Sequence, residues 1–268
     1  MKDKVVVITG ASSGIGKACA ISFAGQGAKV MLAARDEIKL SLTVNEITSK
    51  GGIAAACRTD VSCEADCRQL ISAAISQFGS VHVLINNAGI SMRALFADVD
   101  LKVLRQVMDI NFWGTVYCTK YAMPELLKNQ GSVVGISSIA GYKGLPGRTG
   151  YSSAKFAMNG FFEALRIENL KTNLHVMIVC PGYTASNIRN TALNKDGRPQ
   201  GESPFDERKL MPAEKVAEYI VRGIMKRQRT IVLTDQGKLT ILVNKFFPTF
   251  IDRMVYNVVS KEKNSPFT

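Results

Sequence analysis

The sequence predicts an α/β protein built on a doubly wound parallel sheet of about seven strands with helices on both faces, plus a C-terminal amphipathic extension. Two observations lead to this fold class. Along most of the 268 residues, short apolar runs alternate with segments of helical periodicity. The runs are apolar throughout instead of alternating with polar residues, as at 176–180, which is typical of strands covered on both faces.

The elements follow one another as strand, helix, strand. Strands are predicted near 4–9, 28–34, 53–58, 81–86, 131–137, 174–180 and 229–234. Helices are predicted near 14–26, 36–50, 62–78, 100–128, 150–171 and 212–227. Because this alternation places successive strands in one parallel sheet, we expect a single domain over residues 1–236.

The composition excludes several classes of protein. With 46% hydrophobic and 21% charged residues, the chain is neither disordered nor collagen-like. The net charge is +12, and residues 131–268 carry +9 of it. A basic chain suits nucleic acid, an anionic membrane surface or an acidic ligand. The sequence has no DNA- or RNA-binding motif, so no nucleic acid partner is expected.

No targeting or metal-binding pattern is found in the sequence. The first apolar run, near residues 5–8, is shorter than the roughly 7–15 residues of a signal peptide, and no run reaches the roughly 18 of a spanning helix. The 6 cysteines are scattered. Cys63 and Cys67 are four positions apart on a predicted helix but have no second ligand pair nearby, so no metal site is expected. We expect a cytoplasmic protein.

A glycine-rich turn joins the first strand to the first helix, with the pattern Thr-Gly-x-x-x-Gly-x-Gly over 9–16. Gly10 permits a sharp turn, Gly14 lets backbone approach a pyrophosphate, and Gly16 lets the helix sit close to the sheet. The N–H groups at the start of the helix would then bind phosphates, as in Rossmann folds. The candidate dinucleotide-binding residues in this turn are Gly10, Ser12, Ser13, Gly14, Ile15 and Gly16.

The end of the second strand predicts which dinucleotide is bound. An NAD site usually has an acidic residue there for the ribose 2′-OH, whereas an arginine suits a 2′-phosphate. Here Ala34 is followed by Arg35, which favours NADP(H) over NAD(H). In the alternative interpretation Asp36 binds the ribose and Arg35 is a solvated charge. Asp36 could equally be the N-cap of the next helix.

Further motifs lie at the ends of later strands. Asn-Asn-Ala-Gly at 86–89 follows the fourth strand, Ser138 follows the fifth, and Tyr151 with Lys155 opens a helix 13 residues later. With the glycine turn, Asn111 and a Pro-Gly pair, these motifs resemble those of the short-chain dehydrogenase/reductases, in their compact single-domain branch. The resemblance covers residues 1 to about 235 and is specific because the motifs occur in order on the expected elements.

The residues themselves indicate acid–base chemistry. Tyr151 and Lys155 would share one helix face. A lysine cation about 4 Å from the phenol would lower a tyrosine pKa of about 10 by up to ~3, which makes Tyr151 a general acid or base near neutral pH. The Ser138 hydroxyl would bind the substrate carbonyl and the oxyanion formed from it. A nicotinamide would supply the hydride.

The resemblance implies roles for several more residues. Asn111 would be the fourth catalytic residue and hold a water that relays protons to Lys155, although from the sequence alone it is equally a polar residue within a helix. Tyr151 and Lys155 would bind the cofactor as well. The remaining cofactor-binding residues would contact adenine (Asp60, Val61), line the site after the fourth strand (Asn87, Ala88, Gly89) and hold the nicotinamide carboxamide (Pro181, Gly182, Thr184, Ser186).

The sequence also departs from the family pattern. The family often has threonine where Ser186 stands, so a hydroxyl is retained there. It often has an acidic residue where His82 stands. Neither His82 nor His175 has an acidic residue and a nucleophile placed to form a triad, so we expect both to be structural.

Two segments exceed the predicted domain core. The polar stretch 186–211 is expected to be a substrate lid, or otherwise a plain surface insertion. The tail 237–268 is amphipathic, with a helix starting at Pro248. Its basic residues are Lys238, Lys245, Arg253, Lys261 and Lys263. The tail would make peripheral contact with a membrane, or it would cover the substrate cleft or another subunit.

Together these observations predict an NADPH-dependent oxidoreductase that reduces a ketone or aldehyde to an alcohol, reversibly, with Tyr151 as proton donor. The small-molecule substrate is expected to be apolar, for example a ketone lipid, steroid, retinoid or 3-oxoacyl thioester. Two alternatives stay open, namely an isomerase or epimerase that uses the nicotinamide transiently and a catalytically silent NADP-binding protein. The family resemblance implies a homodimer or homotetramer.

Overall fold

A computed structural model shows seven strands in one sheet. The structure describes residues 1–203, 205–262 and 264–267, and for Glu207 the backbone alone; Lys263 of the predicted basic tail lies outside the described residues. The strands are β1 (Val5–Thr9), β2 (Lys29–Ala34), β3 (Ile53–Arg58), β4 (Val83–Asn86), β5 (Ser132–Ile136), β6 (His175–Cys180) and β7 (Thr230–Val232). Each lies within two residues of its predicted bounds, so the strand prediction is confirmed.

The strand order creates the crevice in which a ligand can bind. Across the sheet the order is β3-β2-β1-β4-β5-β6-β7, and the pairings are parallel. The chain moves outward from β1 to β3, returns to the middle and continues outward from β4 to β7. The loops after β1 and β4 therefore leave in opposite directions, which opens a crevice at the carboxyl ends of the strands.

Helices cover both faces of the sheet. They are α1 (Gly14–Ala24), α2 (Glu37–Thr48), α3 (Glu64–Phe78), α4 (Leu101–Met108), α5 (Gly114–Lys128), α6 (Thr149–Glu168), α7 (Ala213–Met225), α8 (Asp235–Phe246) and α9 (Pro248–Ser260). One apolar cluster joins the sheet to α1, α2 and α7, and a second joins it to α3, α5 and α6. The central strands β1, β4, β5 and β6 are thus buried along their whole length, whereas the edge strands β3 and β7 are partly exposed.

The helix predicted over 100–128 is interrupted. A looser turn of π type at Asp109–Trp113 joins α4 to α5. The periodicity could not reveal it because the apolar spacing on either side still fits a helix. Such turns are rare and often occur at functional sites. Asn111 lies in this turn and is fully buried.

The predicted lid, 186–211, is packed against the rest of the molecule. The backbone of Leu193 forms a parallel β-bridge with Met92 and an antiparallel one with Pro199. The chain reverses direction at Gly197, whose φ is +84°. The Leu193 side chain is buried in an apolar cluster with Met92 and residues of α4. The segment is therefore docked on the loop that follows β4.

The predicted tail forms two helices, α8 and α9. The helix predicted from Pro248 is confirmed, and only part of its apolar side is buried. Ile251 and Val259 are buried, whereas Phe250 is 63% and Val258 47% exposed. The two buried positions are eight residues apart, so they lie about two turns apart on the same side of the helix. Among the described residues, no helix has both the length and the apolar content that crossing a bilayer requires.

Both ends of the tail are anchored to the domain. At its start, Thr234 caps α8 by accepting a hydrogen bond from the Gly237 N–H at 3.2 Å. A Cβ on Gly237 would lie only 2.6 Å from the Ile139 side chain, so this turn packs on the loop after β5. At its end, the buried Glu262 carboxylate binds Arg93 at 3.0 Å and Arg148 at 3.2 Å.

Candidate active site

The glycine turn after β1 has the geometry of an anion site. Gly10 and Gly14 have φ of +65° and +52°, conformations that favour glycine. A Cβ on Gly16 would lie 2.3 Å from the Gly10 carbonyl oxygen, so no other residue fits there. Ser13 is the N-cap of α1 but its side chain makes no capping hydrogen bond, and the first turn has no acidic residue. The N–H groups of this turn are therefore suited to a negatively charged ligand.

Thr9 and Asn87 hold the two sides of the crevice together. The Thr9 hydroxyl accepts hydrogen bonds from the N–H groups of Asn87 and Ala88, both at 3.0 Å. The Asn87 amide in turn donates to the Thr9 and Gly10 carbonyls at 2.9 and 3.1 Å. Thr9 is the first residue of the glycine-rich motif over 9–16, but the motif alone predicts no role for it. Its pairing partner is 78 positions away, so the role could be found only from the fold.

At the end of β2, the structure decides what Asp36 does. Its carboxylate accepts a hydrogen bond from the Lys39 N–H at 3.0 Å and pairs with the Lys39 ammonium at 2.9 Å. The backbone hydrogen bond from Lys39 is the main cause of a lowered pKa of Asp36. Asp36 is thus the N-cap of α2, as one of the sequence interpretations held. Arg35 beside it is exposed.

The turn after β3 is fixed by its own hydrogen bonds. The Asp60 carboxylate accepts from the Ser62 N–H at 3.0 Å and from the Ser62 hydroxyl at 2.7 Å. Burial alone would raise the pKa of Asp60, but these bonds and the guanidinium groups of Arg35 and Arg58 lower it below its ordinary value. Val61 is buried against Gly114, where a Cβ would lie 2.8 Å away.

The structure brings Ser138, Tyr151 and Lys155 together at the carboxyl ends of the central strands. The Ser138 side chain is close enough to Tyr151 to lower the pKa of the Tyr151 hydroxyl, and the Ser138 oxygen accepts a hydrogen bond from the Ala140 N–H at 3.1 Å. The buried Lys155 ammonium donates to the Ile136 carbonyl at 2.8 Å and lies 5.7 Å from the centre of the Tyr151 ring.

The expected effect of Lys155 on Tyr151 is wrong for this structure. Burial raises the pKa of the Tyr151 hydroxyl, and the hydrogen bond with Ser138 and the charge of Arg148 offset only part of that increase. Burial also lowers the pKa of Lys155 to about 8. Among the described residues the Lys155 amine donates to the Ile136 carbonyl and forms no hydrogen bond with the Tyr151 hydroxyl, whereas the prediction from helical spacing assumed a close contact with that hydroxyl.

Asn111 is close to this group, but its side chain is already engaged. Its amide oxygen accepts from the Ile90 N–H and its amide nitrogen donates to the Ile90 carbonyl, both at 2.8 Å. A Cβ built on Gly89 would lie 3.1 Å from the Asn111 oxygen and 3.7 Å from the Lys155 ammonium. Asn111 therefore fixes the loop after β4 beside Lys155.

After β6 the chain returns toward the glycine turn. Gly182 has φ +75° and packs on Thr234, which leaves no room for a Cβ. Ser186 lies 3.4 Å from the place where a Cβ on Gly14 would stand. Between them, the Thr184 side chain is 4% exposed and its hydroxyl has no hydrogen-bond partner among the described residues. An unpaired buried hydroxyl of this kind is suited to a polar group on a ligand.

The two histidines lie at the opposite, amino ends of the strands. His82 accepts a hydrogen bond from the Val5 N–H at 3.1 Å. His175 lies between the Ser132 hydroxyl at 3.0 Å and the Gln228 carbonyl at 2.8 Å. Both side chains satisfy backbone or hydroxyl groups away from the crevice, as expected of structural residues.

A separate cleft of about 530 Å³ lies on the outside of the domain. It is formed by residues 143–146 and one side of α9, with Lys143 and Asp252 paired across it. None of the residues predicted to be catalytic lines this cleft. The catalytic candidates instead lie at the carboxyl ends of the strands.

The crevice, the glycine turn and the cluster of Ser138, Tyr151 and Lys155 are features of a nucleotide-binding α/β enzyme. Comparisons with known proteins identify its family. The profile of the short chain dehydrogenase family matches residues 4–197. The chain is 33% identical to dehydrogenase/reductase SDR family member 7B of Mus musculus, over 99% of this chain and 84% of that protein. It is 35% identical to 11-beta-hydroxysteroid dehydrogenase 1A of Arabidopsis thaliana, over 94% of this chain and 75% of that protein.

Solved structures agree. A short chain dehydrogenase/reductase from Burkholderia phymatum in complex with NAD matches with a TM-score of 0.83 and 26% identity, over 93% of this chain and 95% of that one. An alcohol dehydrogenase from Thermococcus sibiricus, complexed with 5-hydroxy-NADP, has the same fold, with a TM-score of 0.75 and 24% identity over 86% of this chain and 95% of that one. This chain belongs to the short-chain dehydrogenase/reductase family and is an oxidoreductase.

Proposed function

We propose that the protein is an NADPH-dependent oxidoreductase that reduces a ketone or aldehyde to an alcohol, reversibly, with Tyr151 as the proton donor. The observation that carries this proposal is the placement of Ser138, Tyr151 and the buried amine of Lys155 together at the carboxyl ends of the central strands. Two neighbouring hydroxyls can bind a carbonyl oxygen and deliver a proton to it, and a nearby ammonium can stabilise the charge that is left behind.

The residues around the crevice fit a nicotinamide dinucleotide. The N–H groups of the turn from Gly10 to Gly16 would bind the pyrophosphate. The unpaired Thr184 hydroxyl, with Ser186, would bind the carboxamide. The turn at Asp60 and Val61 would bind the adenine. When bound, the nicotinamide supplies the hydride.

The preference for NADP(H) rests on charge. The Asp36 carboxylate is occupied by Lys39, which leaves it poorly placed to accept a hydrogen bond from a ribose hydroxyl. The exposed guanidinium of Arg35 next to it favours a 2′-phosphate. NADP(H) is therefore the proposed cofactor, with NAD(H) as the weaker ligand.

In the reduction, each residue has a defined task. Ser138 donates a hydrogen bond to the substrate carbonyl oxygen and stabilises the negative charge that develops there. Tyr151 gives its proton to the same oxygen. The raised pKa of Tyr151 keeps its hydroxyl protonated at neutral pH, which is the form that can donate. Lys155, with a pKa of about 8, is mainly protonated at neutral pH and stabilises the tyrosinate left behind.

The substrate side of the crevice is apolar. The buried Met92 and Leu193 pack with Tyr151 in one cluster. Tyr183 and Phe205 form an aromatic pair with ring centres 4.7 Å apart. These groups suit an apolar carbonyl compound such as a steroid or lipid, in line with the name of the Arabidopsis relative. The 186–211 segment, docked over the loop after β4, would be the lid of this pocket.

The tail would contact an anionic membrane on the cytoplasmic side. Its exposed apolar face consists of Leu239, Leu242, Phe246, Phe247 and Phe250, which are 57–70% exposed. The exposed cations Lys245 and Arg253 flank this face, so both the apolar and the charged components of interfacial binding are present. In sedimentation with phosphatidylserine vesicles, Phe246→Asp should abolish binding; a dimer that dissociates in the same variant would indicate a subunit contact instead.

The experiment for the reaction is a carbonyl panel followed at the absorbance of reduced nicotinamide. A reductase oxidises NADPH in proportion to the alcohol formed. An isomerase or epimerase converts its substrate with no net oxidation of NADPH, and a silent binding protein converts nothing. Stoichiometric oxidation with at least one apolar ketone is the expected result. Binding of NADPH without turnover across ketones, aldehydes and their alcohols with NADP would overturn the proposal.

A further inference from the structure

Arg58 and Arg35 lie at the carboxyl ends of the neighbouring strands β3 and β2, at the edge of the sheet where the cofactor is proposed to bind. It is the last residue of β3, and its partner across the sheet is Ala34, the last residue of β2. Paired positions on neighbouring parallel strands lie at the same level along the sheet. Because Arg35 directly follows Ala34, two arginines leave adjacent strands at the same carboxyl edge.

Both arginines are exposed, and within the described part of the chain neither forms a salt bridge. Neighbouring charges at this edge behave differently. Asp36 is paired with Lys39, and Lys17 of α1 is paired with Glu46 of α2 at 2.9 Å. The two guanidinium groups are therefore the charges at this edge that stay available to a ligand.

The two guanidinium groups also both lower the pKa of one carboxylate, that of Asp60. The Asp60 carboxylate, on the turn that follows β3, is stabilised in its charged form by both Arg35 and Arg58. Its oxygen is otherwise held by the N–H and hydroxyl of Ser62. Arg35, Arg58 and Asp60 therefore lie at the same edge of the sheet, at the turn proposed to bind the adenine.

We infer that Arg58 is a second arginine that binds the 2′-phosphate of NADP(H), together with Arg35. The inference rests on the proposed cofactor. A phosphate monoester carries a charge of about −1.5 to −2 at neutral pH, which a single guanidinium does not balance. Two guanidinium forks from adjacent strands can each donate two hydrogen bonds to its oxygens. The sequence could not indicate this because Arg58 is 23 positions beyond Arg35.

The test is equilibrium binding of four probes to Arg58→Ala, measured by calorimetry. NADPH and 2′,5′-ADP carry the 2′-phosphate, whereas NADH and 5′-ADP do not. Loss of one charge-assisted contact is expected to weaken the first two about tenfold and to change the last two less than about twofold. Arg58→Lys should recover part of the affinity. The matched control is Arg68→Ala, which removes an exposed arginine of α3 and should change none of the four.

Two results would overturn the role of Arg58. One is unchanged binding of NADPH and 2′,5′-ADP by Arg58→Ala; the other is an equal loss for all four probes. Arg35→Ala on the same panel separates the inference from the cofactor proposal. If Arg35→Ala loses NADPH while Arg58→Ala does not, only Arg58 is wrongly assigned. If the unmodified protein binds NADH as tightly as NADPH, the cofactor proposal fails and the inference fails with it.

Discussion

The molecule uses positive charge differently in its two functional regions. At the carboxyl edge of β2 and β3, the guanidinium groups of Arg35 and Arg58 are exposed, so they are suited to attracting an anion from solvent. In the catalytic group, Lys155 is 4% exposed, and burial lowers its pKa to about 8. A buried amine of this kind can change its protonation state near neutral pH, whereas a guanidinium cannot. In the proposed mechanism the exposed arginines bind the cofactor, and the buried lysine stabilises the tyrosinate.

The sharpest way to separate the two regions is to remove the hydroxyl of Ser138. Ser138→Ala should lower kcat about 10²- to 10³-fold, because the oxyanion loses a donor, while NADPH binding stays unchanged. Steady-state rates and calorimetry with NADPH measure the two effects. The control is Ser137→Ala, which removes the neighbouring buried hydroxyl that donates to Asn159 at 2.7 Å. If both variants lose the same activity, Ser138 has no special role.

The pH dependence of the reduction tests the buried amine. Lys155 is protonated below its pKa of about 8 and neutral above it. Because the proposed mechanism needs the cation, kcat for reduction should be level below pH 8 and fall about tenfold per pH unit above it. Lys155→Arg should remove that alkaline limb, since a guanidinium does not titrate in this range. A rate that rises between pH 8 and 10 would contradict the account.

Salt should affect the exposed region alone, and this is the smallest expected effect. Raising the ionic strength from about 0.05 to 0.5 M shortens the screening length several-fold, so NADPH should bind a few-fold more weakly. Binding of NADH and kcat at saturating NADPH should be nearly constant. If salt weakened the binding of NADH as much as that of NADPH, Arg35 and Arg58 would not be binding the 2′-phosphate.

Much of this arrangement could be predicted from the sequence. Parallel strands buried on both faces are apolar throughout, so their bounds were recognisable. Gly10 and Gly14 have positive φ, and Gly16 allows the backbone to approach closely. Because glycine is the residue that meets both requirements, the glycine pattern in the sequence predicts this turn. Tyr151 and Lys155 could be placed on one helix face because helical spacing is fixed.

Other features depend on contacts between distant segments and could not be predicted. The position of the Lys155 amine relative to Tyr151 depends on the Ile136 carbonyl, to which the amine donates a hydrogen bond. The pairing of Arg58 with Ala34 appears only when the strand order is known. The choice between cap and ribose ligand for Asp36 depends on the Lys39 contact. In each case the sequence specifies the residue, and the fold decides its partner.

The central claim is that Tyr151 donates the proton to the substrate. The direct measurement is NADPH oxidation by Tyr151→Phe with a carbonyl that the unmodified enzyme reduces, together with the NADPH dissociation constant of the variant. Loss of the only group proposed to donate should lower turnover by at least about 10²- to 10⁴-fold, with NADPH binding changed less than about threefold. A variant that keeps most of its rate would show that the proton comes from another group.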